Sequence, residues 1–515
     1  MKKFIKSRRI RYGSVSLILT VLVIAAVVIF NVIASMLAGR YEWMYVDMNR
    51  SLVYEISEDC EKDLAEHVIP HVDEAKKSLG SGEKITVLFC NDKEKIEADD
   101  SQRYIHDSVY EIKDMFPDHI KIDYINIWEQ PTRARELGVT GTGDVVCIFG
   151  DRHETMNLGD FYIYDSETGE AIAYNGEKII ASCLMRVTQK DTPVCYLTMN
   201  HGETMTDYEL MRSLVEAGYT IGFLDLSEKD VPEDCELLMT YAPKQDFLLN
   251  DGVSEISEIE KLDNYMSRGG KYMVFLSADS FASGKRENLE NFLAKWGIEY
   301  AHYEGEDGSE KVEIIRDTSH SLSVHGYDIL SESAKEGSGV GIVDDSRSNV
   351  FMNSTHITFA DGFVKQGNGN YVKTVDGIKR SVYPLMVSHS SAEVWTDGRA
   401  VKRAADGRFV LMAMASQTCK NGKTAFLVAS ASSTFASEDS MQSSVLGNSR
   451  SMAQIYKHLG RKQAPVDLVF KSFGSTAIES LTARNANLIT VCIVAIPTVA
   501  CLAAGVVILV RRKYS

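Results

Sequence analysis

The chain has 515 residues, 44% of them hydrophobic and 25% charged, which is ordinary globular composition, argues against disorder and leaves room for about two to four domains. The first 12 and last five residues hold nine of the 55 Lys and Arg residues and no acidic one, so the remainder carries 46 basic residues against 72 acidic residues. Such an acidic body is unsuited to neutralising phosphates, and nucleic acid is not an expected partner.

Two long apolar segments, residues 13–38 and 488–510, predict the membrane topology. Each is long enough to cross a lipid bilayer as a helix, which takes about 20 residues. Basic tails at residues 1–12 and 511–515 flank them, so the positive-inside rule places both termini in the cytoplasm. The alternative for the first segment is a cleaved signal peptide, but its apolar core is too long for one. We therefore predict a two-pass plasma-membrane protein with an extracytoplasmic body.

The first part of the body, residues 39–190, is predicted to be a thioredoxin-like α/β domain. The predicted strands are residues 84–90, 120–127, 144–149 and 161–164, and the predicted helices start at residue 57 or cover residues 101–115 and 176–188. The redox Cys-x-x-Cys motif is missing, so the domain is interpreted as a scaffold. The seven cysteines outside the apolar segments are scattered and odd in number, which argues against a disulfide framework.

The second part, residues 191–465, alternates apolar strands with helices and predicts a doubly wound parallel sheet of the flavodoxin or amidotransferase-like kind. The predicted strands are residues 194–199, 220–226, 235–241 and 271–276, and the predicted helices are residues 206–217, 254–268 and 286–296. A β-rich insertion is expected at residues 305–407. Strands at 409–416 and 424–429, a helix at 449–459 and a linker at 466–487 complete the prediction.

No candidate motif for nucleotide or metal chemistry has the residues and spacing that this chemistry requires. Gly422-Lys423-Thr424 lacks the upstream glycine of a phosphate loop, because Gln417 occupies that position, and a strand follows it. His67 and His71 are four residues apart, but Pro70 lies between them and a third ligand is missing. The sequence therefore predicts no catalytic residue, no metal site, no nucleotide site and no cofactor.

The turn Asn200-His201-Gly202-Glu203 is the candidate site for a ligand or a partner. It follows the first predicted strand of the second domain, and ligands of parallel α/β sheets sit at the carboxyl ends of strands. An imidazole beside a carboxylate could also perform acid–base chemistry. The plainer alternative is that Gly202 allows a tight turn and Glu203 favours the start of a helix, with Thr206 and Glu209 forming a capping box.

A series of short motifs carries a family resemblance. The segment Cys195-Tyr196-Leu197-Thr198-Met199-Asn200-His201-Gly202-Glu203 is followed by Gly218-Tyr219, Val231-Pro232, Tyr241-Ala242-Pro243, Leu262-Asp263-Asn264-Tyr265 and Gly269-Gly270-Lys271. In this order they resemble the gliding-motility-associated GldG-like family, which carries an ABC-transporter auxiliary domain. The resemblance covers most of residues 45–300. It departs at Asn200, where the family has a glycine, and at Ser277-Ala278-Asp279, where the family often has an acidic residue and proline.

The resemblance implies a non-catalytic accessory subunit of an ABC-2-type export system. Its expected partners are a multi-span permease, a separate ATPase and the lipid bilayer. It also implies a sheet related to amidotransferase-like folds, without the amidotransferase nucleophile. Two alternatives remain open: an extracytoplasmic hydrolase that uses His201 and Glu203, and a stand-alone envelope sensor.

Overall fold

The computed structural model describes a body that lies between the two predicted membrane spans. The described residues are 53–79, 84–165, 168–189, 193–203, 208–250, 257–343, 345–375, 377–404, 408–443, 446–461, 468 and 470–473. Residues Tyr54–Gly474 form one compact unit. The predicted spans lie outside the described residues, and within those residues no helix is both long and apolar enough to cross a bilayer. The two-pass topology therefore stays a prediction.

The body mixes helices and strands, which confirms the α/β class. Its helices are α1 (Glu58–His67), α2 (Ile69–Leu79), α3 (Lys93–Ala98), α4 (Asp100–Met115), α5 (Pro131–Glu136), α6 (Gly176–Thr188), α7 (Tyr208–Glu216), α8 (Glu258–Ser267), α9 (Glu287–Lys295), α10 (Glu438–Met441) and α11 (Asn448–His458). The strands of the first part are β1 (Ile85–Phe89), β2 (Ile120–Tyr124), β3 (Val145–Phe149), β4 (Arg152–Met156), β5 (Tyr162–Tyr164) and β6 (Ala171–Tyr174).

The remaining strands come after α6 in the chain. They are β7 (Val194–Thr198), β8 (Thr220–Leu224), β9 (Cys235–Tyr241), β10 (Lys271–Phe275), β11 (Ile298–Tyr300), β12 (His302–Glu304), β13 (Glu310–Val312), β14 (Ile314–Arg316), β15 (Asp328–Ser333), β16 (Asn349–Met352), β17 (Ile357–Phe359), β18 (Val364–Lys365), β19 (Tyr371–Val375), β20 (Ile378–Ser388), β21 (Glu393–Thr396), β22 (Arg399–Arg403), β23 (Val410–Thr418), β24 (Thr424–Ser430) and β25 (Lys471–Ser472).

A four-stranded sheet organises the first part, with the order β2-β1-β3-β4. Strands β1 and β2 are parallel, whereas β3 runs antiparallel to both β1 and β4. The crossover between the parallel strands includes α4, in which Ile105, Val109 and Ile112 repeat every three or four positions and are buried. Asp99 caps this helix by accepting a hydrogen bond from the backbone N–H of Ser101 at 3.0 Å.

The two ends of the body meet beside α6. Strand β25, near the carboxyl end, pairs with β6, so that Lys471 faces Tyr174. Near the amino end, the backbone N–H of Ser57 donates to Glu177 Oε1 at 2.5 Å. The same Glu177 oxygen accepts a hydrogen bond from Lys471 Nζ at 3.0 Å. One buried carboxylate in the first turn of α6 thus binds both ends of the body.

A large mixed sheet organises the second part. Its main path has the order β16-β15-β20-β23-β24-β10-β9-β7-β8. The five strands from β24 to β8 are parallel, and in chain order they are arranged 2-1-3-4-5. The strand order reverses between β7 and β9. In open α/β sheets, a crevice for ligands forms at the carboxyl ends of the strands where the order reverses.

The β-rich segment extends this sheet instead of folding apart from it. The long strand β20 pairs with β23 on one side and with β15 on the other, and all these pairs are antiparallel. Strands β23 and β24 form an antiparallel hairpin, in which Gly422 takes a positive φ of 80°. Smaller sheets, β12-β13 and β14-β21-β22, complete the segment.

Apolar clusters cover both faces of the large sheet. On one face, Leu214 of α7 and Ile455 of α11 are fully buried. On the other face, Leu262 of α8 and Phe292 of α9 are fully buried. Truncating one such leucine to alanine typically costs about 2–5 kcal/mol of folding free energy. The helices therefore hold the strand ends, and the loops that follow them, in fixed positions.

A buried ionic cluster joins the two parts of the body. Glu216, at the end of α7, accepts hydrogen bonds from Lys178 Nζ at 2.5 Å and Arg212 Nε at 3.1 Å. Asn175 Nδ2 donates to the same carboxylate at 3.0 Å. The two positive charges outweigh the cost of burial and keep the pKa of Glu216 below its ordinary value. Helix α6 is thereby fixed to the second part of the body.

Candidate functional site

The candidate turn lies where the strand order of the large sheet reverses. Residues Asn200, His201, Gly202 and Glu203 follow the carboxyl end of β7, which neighbours β9. Two of them take left-handed backbone conformations, Asn200 with φ 83° and Gly202 with φ 72°. Glycine and asparagine adopt this region most readily, which explains these residue types here. The chain can therefore reverse sharply and bring the His201 side chain back beneath the turn.

The imidazole of His201 is buried between two carboxylates. Its Nδ1 lies 2.9 Å from Glu203 Oε1, and its Nε2 lies 2.9 Å from Glu258 Oε2. The residue is 4% exposed, and the side chains of Glu203 and Glu258 are 1% and 2% exposed. The ring also stacks on Phe247, with 3.9 Å between ring centroids and planes 8° apart. Every polar atom of the ring has a partner.

A chain of hydroxyl groups fixes the Glu203 carboxylate. Thr198 Oγ1 donates to Glu203 Oε1 at 2.9 Å and lies 2.9 Å from Thr240 Oγ1. Tyr272 OH donates to Thr240 Oγ1 at 2.8 Å. These three hydroxyl residues come from β7, β9 and β10 and are buried. Glu203 also accepts the backbone N–H of His201 at 2.6 Å. Through Glu203 and the three hydroxyl groups, the turn is bonded to three neighbouring strands.

Glu258 connects the turn to the loop after β9. Its Oε2 accepts the backbone N–H of Leu248 at 2.7 Å as well as His201 Nε2. The carbonyl of His201 in turn accepts the backbone N–H groups of Lys244 and Gln245, each at 2.8 Å. Glu258 is the first residue of α8, where the helix dipole favours a negative charge. Two loops at the sheet edge are therefore held as one unit.

The network keeps His201 protonated. Burial alone would lower its pKa, but hydrogen bonds and charges from Glu203 and Glu258 outweigh burial and raise the pKa from 6.5 to about 9. Burial likewise opposes ionisation of Glu203, but the hydrogen bond and charge of His201 outweigh it and leave the pKa of Glu203 below 4.5. At neutral pH the arrangement is an imidazolium between carboxylates.

Neither the His201 imidazole nor the Cys195 thiol is free for acid–base or nucleophilic chemistry. A general base needs an unoccupied nitrogen in reach of substrate, and both His201 nitrogens already bind carboxylates. Cys195 lies within β7, is fully buried, and burial raises the pKa of its thiol well above 9.0. Among the described residues, no group of three or more His, Cys, Asp or Glu side chains is arranged to hold a metal ion.

The predicted turn residues divide by exposure. Asn200 and Gly202 are exposed, whereas His201 is buried and the carboxylate of Glu203 points inward to it. Sequence reasoning missed Glu258, 57 positions from His201, together with the ring of Phe247. A single sequence contains no signal that pairs such distant positions. The other histidine pair, His67 and His71, falls in two different helices, α1 and α2.

Exposed apolar side chains lie on the strands and loops around this network. Met199, directly before the turn, is 42% exposed, and Leu248 and Leu249, on the loop tied to Glu258, are each 43% exposed. The backbone N–H of Met199 donates to the carbonyl of Leu224 at 3.1 Å, which places it beside the end of β8. We call Met199, Leu248 and Leu249 the edge patch. Exposed apolar groups at a fixed loop edge are typical of contact surfaces.

Comparison with known proteins relates this part of the chain to a transport family. Residues 190–314 match the family model ABC_transp_aux, described as an ABC-type uncharacterized transport system. The matched residues include β7 to β10, the turn and the edge patch. This match supports an accessory role in an ABC transport system. No curated protein matches the sequence.

Solved structures show only distant likeness. The N-terminal domain of mmIFT52 is 13% identical, with a TM-score of 0.36, over 52% of this chain and 97% of that one. PurLQS from Thermotoga maritima is 13% identical, with a TM-score of 0.27, over 52% and 99%. A cytoplasmic protein from Salmonella typhimurium is 11% identical, with a TM-score of 0.29, over 52% and 98%.

Proposed function

We propose that this protein is a non-catalytic, membrane-anchored accessory subunit of an ABC-2-type transport system of the gliding-motility-associated GldG-like kind. Its extracytoplasmic body binds a partner subunit or an envelope substrate at the carboxyl edge of the large sheet. The partners are a multi-span permease and a separate ATPase. The transport assignment is supported by the family match of residues 190–314.

One observation carries the non-catalytic assignment: both ring nitrogens of His201 are bonded to buried carboxylates. The same network supports a binding role, because it holds exposed residues in place. Asn200, Gly202 and the edge patch are presented to solvent on loops that Glu203 and Glu258 fix from below. A preorganised surface loses little conformational freedom on binding, which favours affinity.

We interpret the four-stranded sheet as a thioredoxin-like layer and the parallel half of the large sheet as a doubly wound, flavodoxin-like layer. The strand orders β2-β1-β3-β4 and 2-1-3-4-5 support this interpretation. In this proposal the spans at residues 13–38 and 488–510 anchor the body and leave both basic tails in the cytoplasm.

Purification of affinity-tagged full-length protein in mild detergent tests the assignment. We expect an ATPase and a multi-span membrane protein to co-purify with the wild-type chain. The double variant Met199→Lys/Leu248→Lys places two charges on the edge patch and should reduce co-purification at least tenfold, since burying an unpaired charge is costly. The matched control is Val364→Lys, on an exposed residue of β18 in the β-rich segment.

The outcomes separate the parts of the proposal. Purification of the chain without an ATPase or a permease would contradict the accessory role. Equal co-purification by the double variant and the control would contradict the binding site alone. For localisation, Val324→Cys offers an 87% exposed position. A membrane-impermeant maleimide should label it on intact cells, and labelling only after lysis would contradict an extracytoplasmic body.

A further inference from the structure

Strand β8 forms one edge of the large sheet and is unusually open to pairing. Its sequence, Thr220-Ile221-Gly222-Phe223-Leu224, contains no charged residue and no proline. It pairs with β7, and within the described residues no other strand pairs with it. Phe223 is 53% exposed. Natural edge strands are usually protected by charges, prolines or bulges, and an unprotected one is a template for another strand.

Two hydrogen bonds fix which residues of β8 face outward. The backbone N–H of Thr220 donates to the carbonyl of Pro193, and the carbonyl of Leu224 accepts from the N–H of Met199. Thr220 and Leu224 therefore direct their backbone groups towards β7. Because this direction alternates along a strand, Gly222 also faces inward, whereas the N–H and C=O groups of Ile221 and Phe223 face out of the sheet.

We infer that β8 pairs antiparallel with β8 of a second copy of this chain, about a two-fold axis at Gly222. This register places Ile221 of each copy opposite Phe223 of the other copy, which makes two equivalent pairs. Directly opposed residues of this kind exchange both backbone hydrogen bonds. All four outward-facing groups of each strand are then used, so the contact is self-complementary and closes on a dimer.

Side chains favour the same register. Ile221 packs on the apolar cluster of the α7 face. Phe223, two positions along, lies on that same face, so each cross-copy pair joins an aromatic ring and a β-branched chain, a stabilising combination. Gly222 brings no side chain of its own to the axis; the Tyr196 ring of β7 covers it, 2.6 Å from where a Cβ would lie. Because β8 has no charged residue, pairing places no like charges of the two copies opposite each other.

A second copy of this chain is the partner that we favour for β8, because the outward-facing groups of one β8 strand complement those of another. The bodies themselves are acidic and repel each other at long range. Salt screens this repulsion and leaves backbone hydrogen bonds in place. Dimerisation is therefore expected to strengthen as ionic strength rises, which is the opposite of a contact built on opposite charges.

Light scattering on the full-length protein in detergent measures the mass directly. We expect a concentration-dependent dimer. Phe223→Pro removes an outward-facing N–H and the exposed ring but no hydrogen bond to β7, so the ladder with β7 stays intact. The dimer loses two hydrogen bonds and two aromatic contacts, and its dissociation constant should rise at least about thirtyfold. Val324→Pro is the matched control and should dimerise normally: this 87% exposed residue in the loop between β14 and β15 is the second residue of a turn closed by the Gly326 N–H and the Ser323 carbonyl, a position that suits proline.

Cross-linking tests the register. The double variant Ile221→Cys/Phe223→Cys should form a covalent dimer on mild oxidation, since opposed Cα atoms lie about 5.5 Å apart in such pairs. The control pair Leu322→Cys/Val324→Cys should not. A wild-type protein that is monomeric at every concentration would overturn the proposal, as would larger open-ended assemblies. It would also fail if Phe223→Pro dimerised as the wild type does, or if β8 cross-linked only to a different polypeptide.

Discussion

Replacing His201 with alanine is the sharpest test of the buried network, because it removes the cation and leaves both carboxylates in place. Glu203 and Glu258 would each lose a charged hydrogen bond of 2.9 Å. Their side chains are at most 2% exposed, so water cannot replace the lost partner without local opening. Removing one member of a buried ionic pair typically costs about 3–5 kcal/mol.

Local opening is measured by hydrogen exchange of the full-length protein, followed by mass spectrometry of its peptides. The N–H groups of Lys244, Gln245 and Leu248 report on the network, since each is bonded to His201 or Glu258. A loss of about 3 kcal/mol should speed their exchange by more than about a hundredfold. His325→Ala is the control, because that side chain is exposed and should change stability by less than about 0.5 kcal/mol.

The pH dependence provides a second readout of the same substitution. A pKa of about 9 for His201, against 6.5 when unfolded, stabilises the fold by about 3 kcal/mol at pH below 6.5. This contribution falls as pH rises above 6.5 and is lost near pH 9. The lowered pKa of Glu203 adds stability above about pH 4.5 that is lost on acidification. The wild type should be most protected between about pH 4.5 and 6.5.

The alanine variant should lose the decline between pH 6.5 and 9. A variant that exchanges as slowly as the wild type, or that keeps the same decline, would refute the assignment of His201 as the buried cation.

Changing Glu177 to Gln should speed exchange at Ser57 by about tenfold, because the neutral amide binds Ser57 and Lys471 less strongly; unchanged exchange would contradict the role of this carboxylate. Glu216→Ala should lower stability by about 3–5 kcal/mol, since buried Lys178 loses its carboxylate and Arg212 loses one of two, and a thermal midpoint equal to that of Glu228→Ala, an exposed control, would refute this. Maleimide should label Cys195 only after unfolding, because its thiol is buried and its pKa is raised; rapid labelling of the native protein would contradict the structure.

The strands of the second part could be predicted from the sequence because their apolar runs are short and bounded by turn residues. Residues 235–241 form β9 with the predicted bounds, and β7 and β10 each end one residue earlier than predicted. The turn at 200–203 follows β7 as expected. The predicted capping box at Thr206 lies outside the described residues, while Glu209 bonds Arg212 at 3.2 Å.

The role of Glu203 could not be predicted, because it depends on residues far away in the chain. From sequence, Glu203 was a residue that favours a helix start, whereas in the structure it binds the His201 ring and the hydroxyl of Thr198. The decisive partner, Glu258, reads in sequence as an ordinary acidic residue in the first turn of a helix. Local patterns report periodicity and caps, but they contain no information on which loops meet at a sheet edge.

Two consecutive residues of α6 bind different parts of the body. Glu177 binds Ser57 and Lys471 at the two ends of the body, and Lys178 pairs with Glu216 across the boundary between the two parts. A shortened protein beginning at residue 190 would keep all the residues that match the transport family but would lack that lysine. Glu216 of α7 would then keep Arg212 but lose its second buried counterion, beside an apolar helix face newly open to water. The family-matching portion is therefore expected to be a poor soluble fragment, and it should be studied with the preceding 140 or so residues attached.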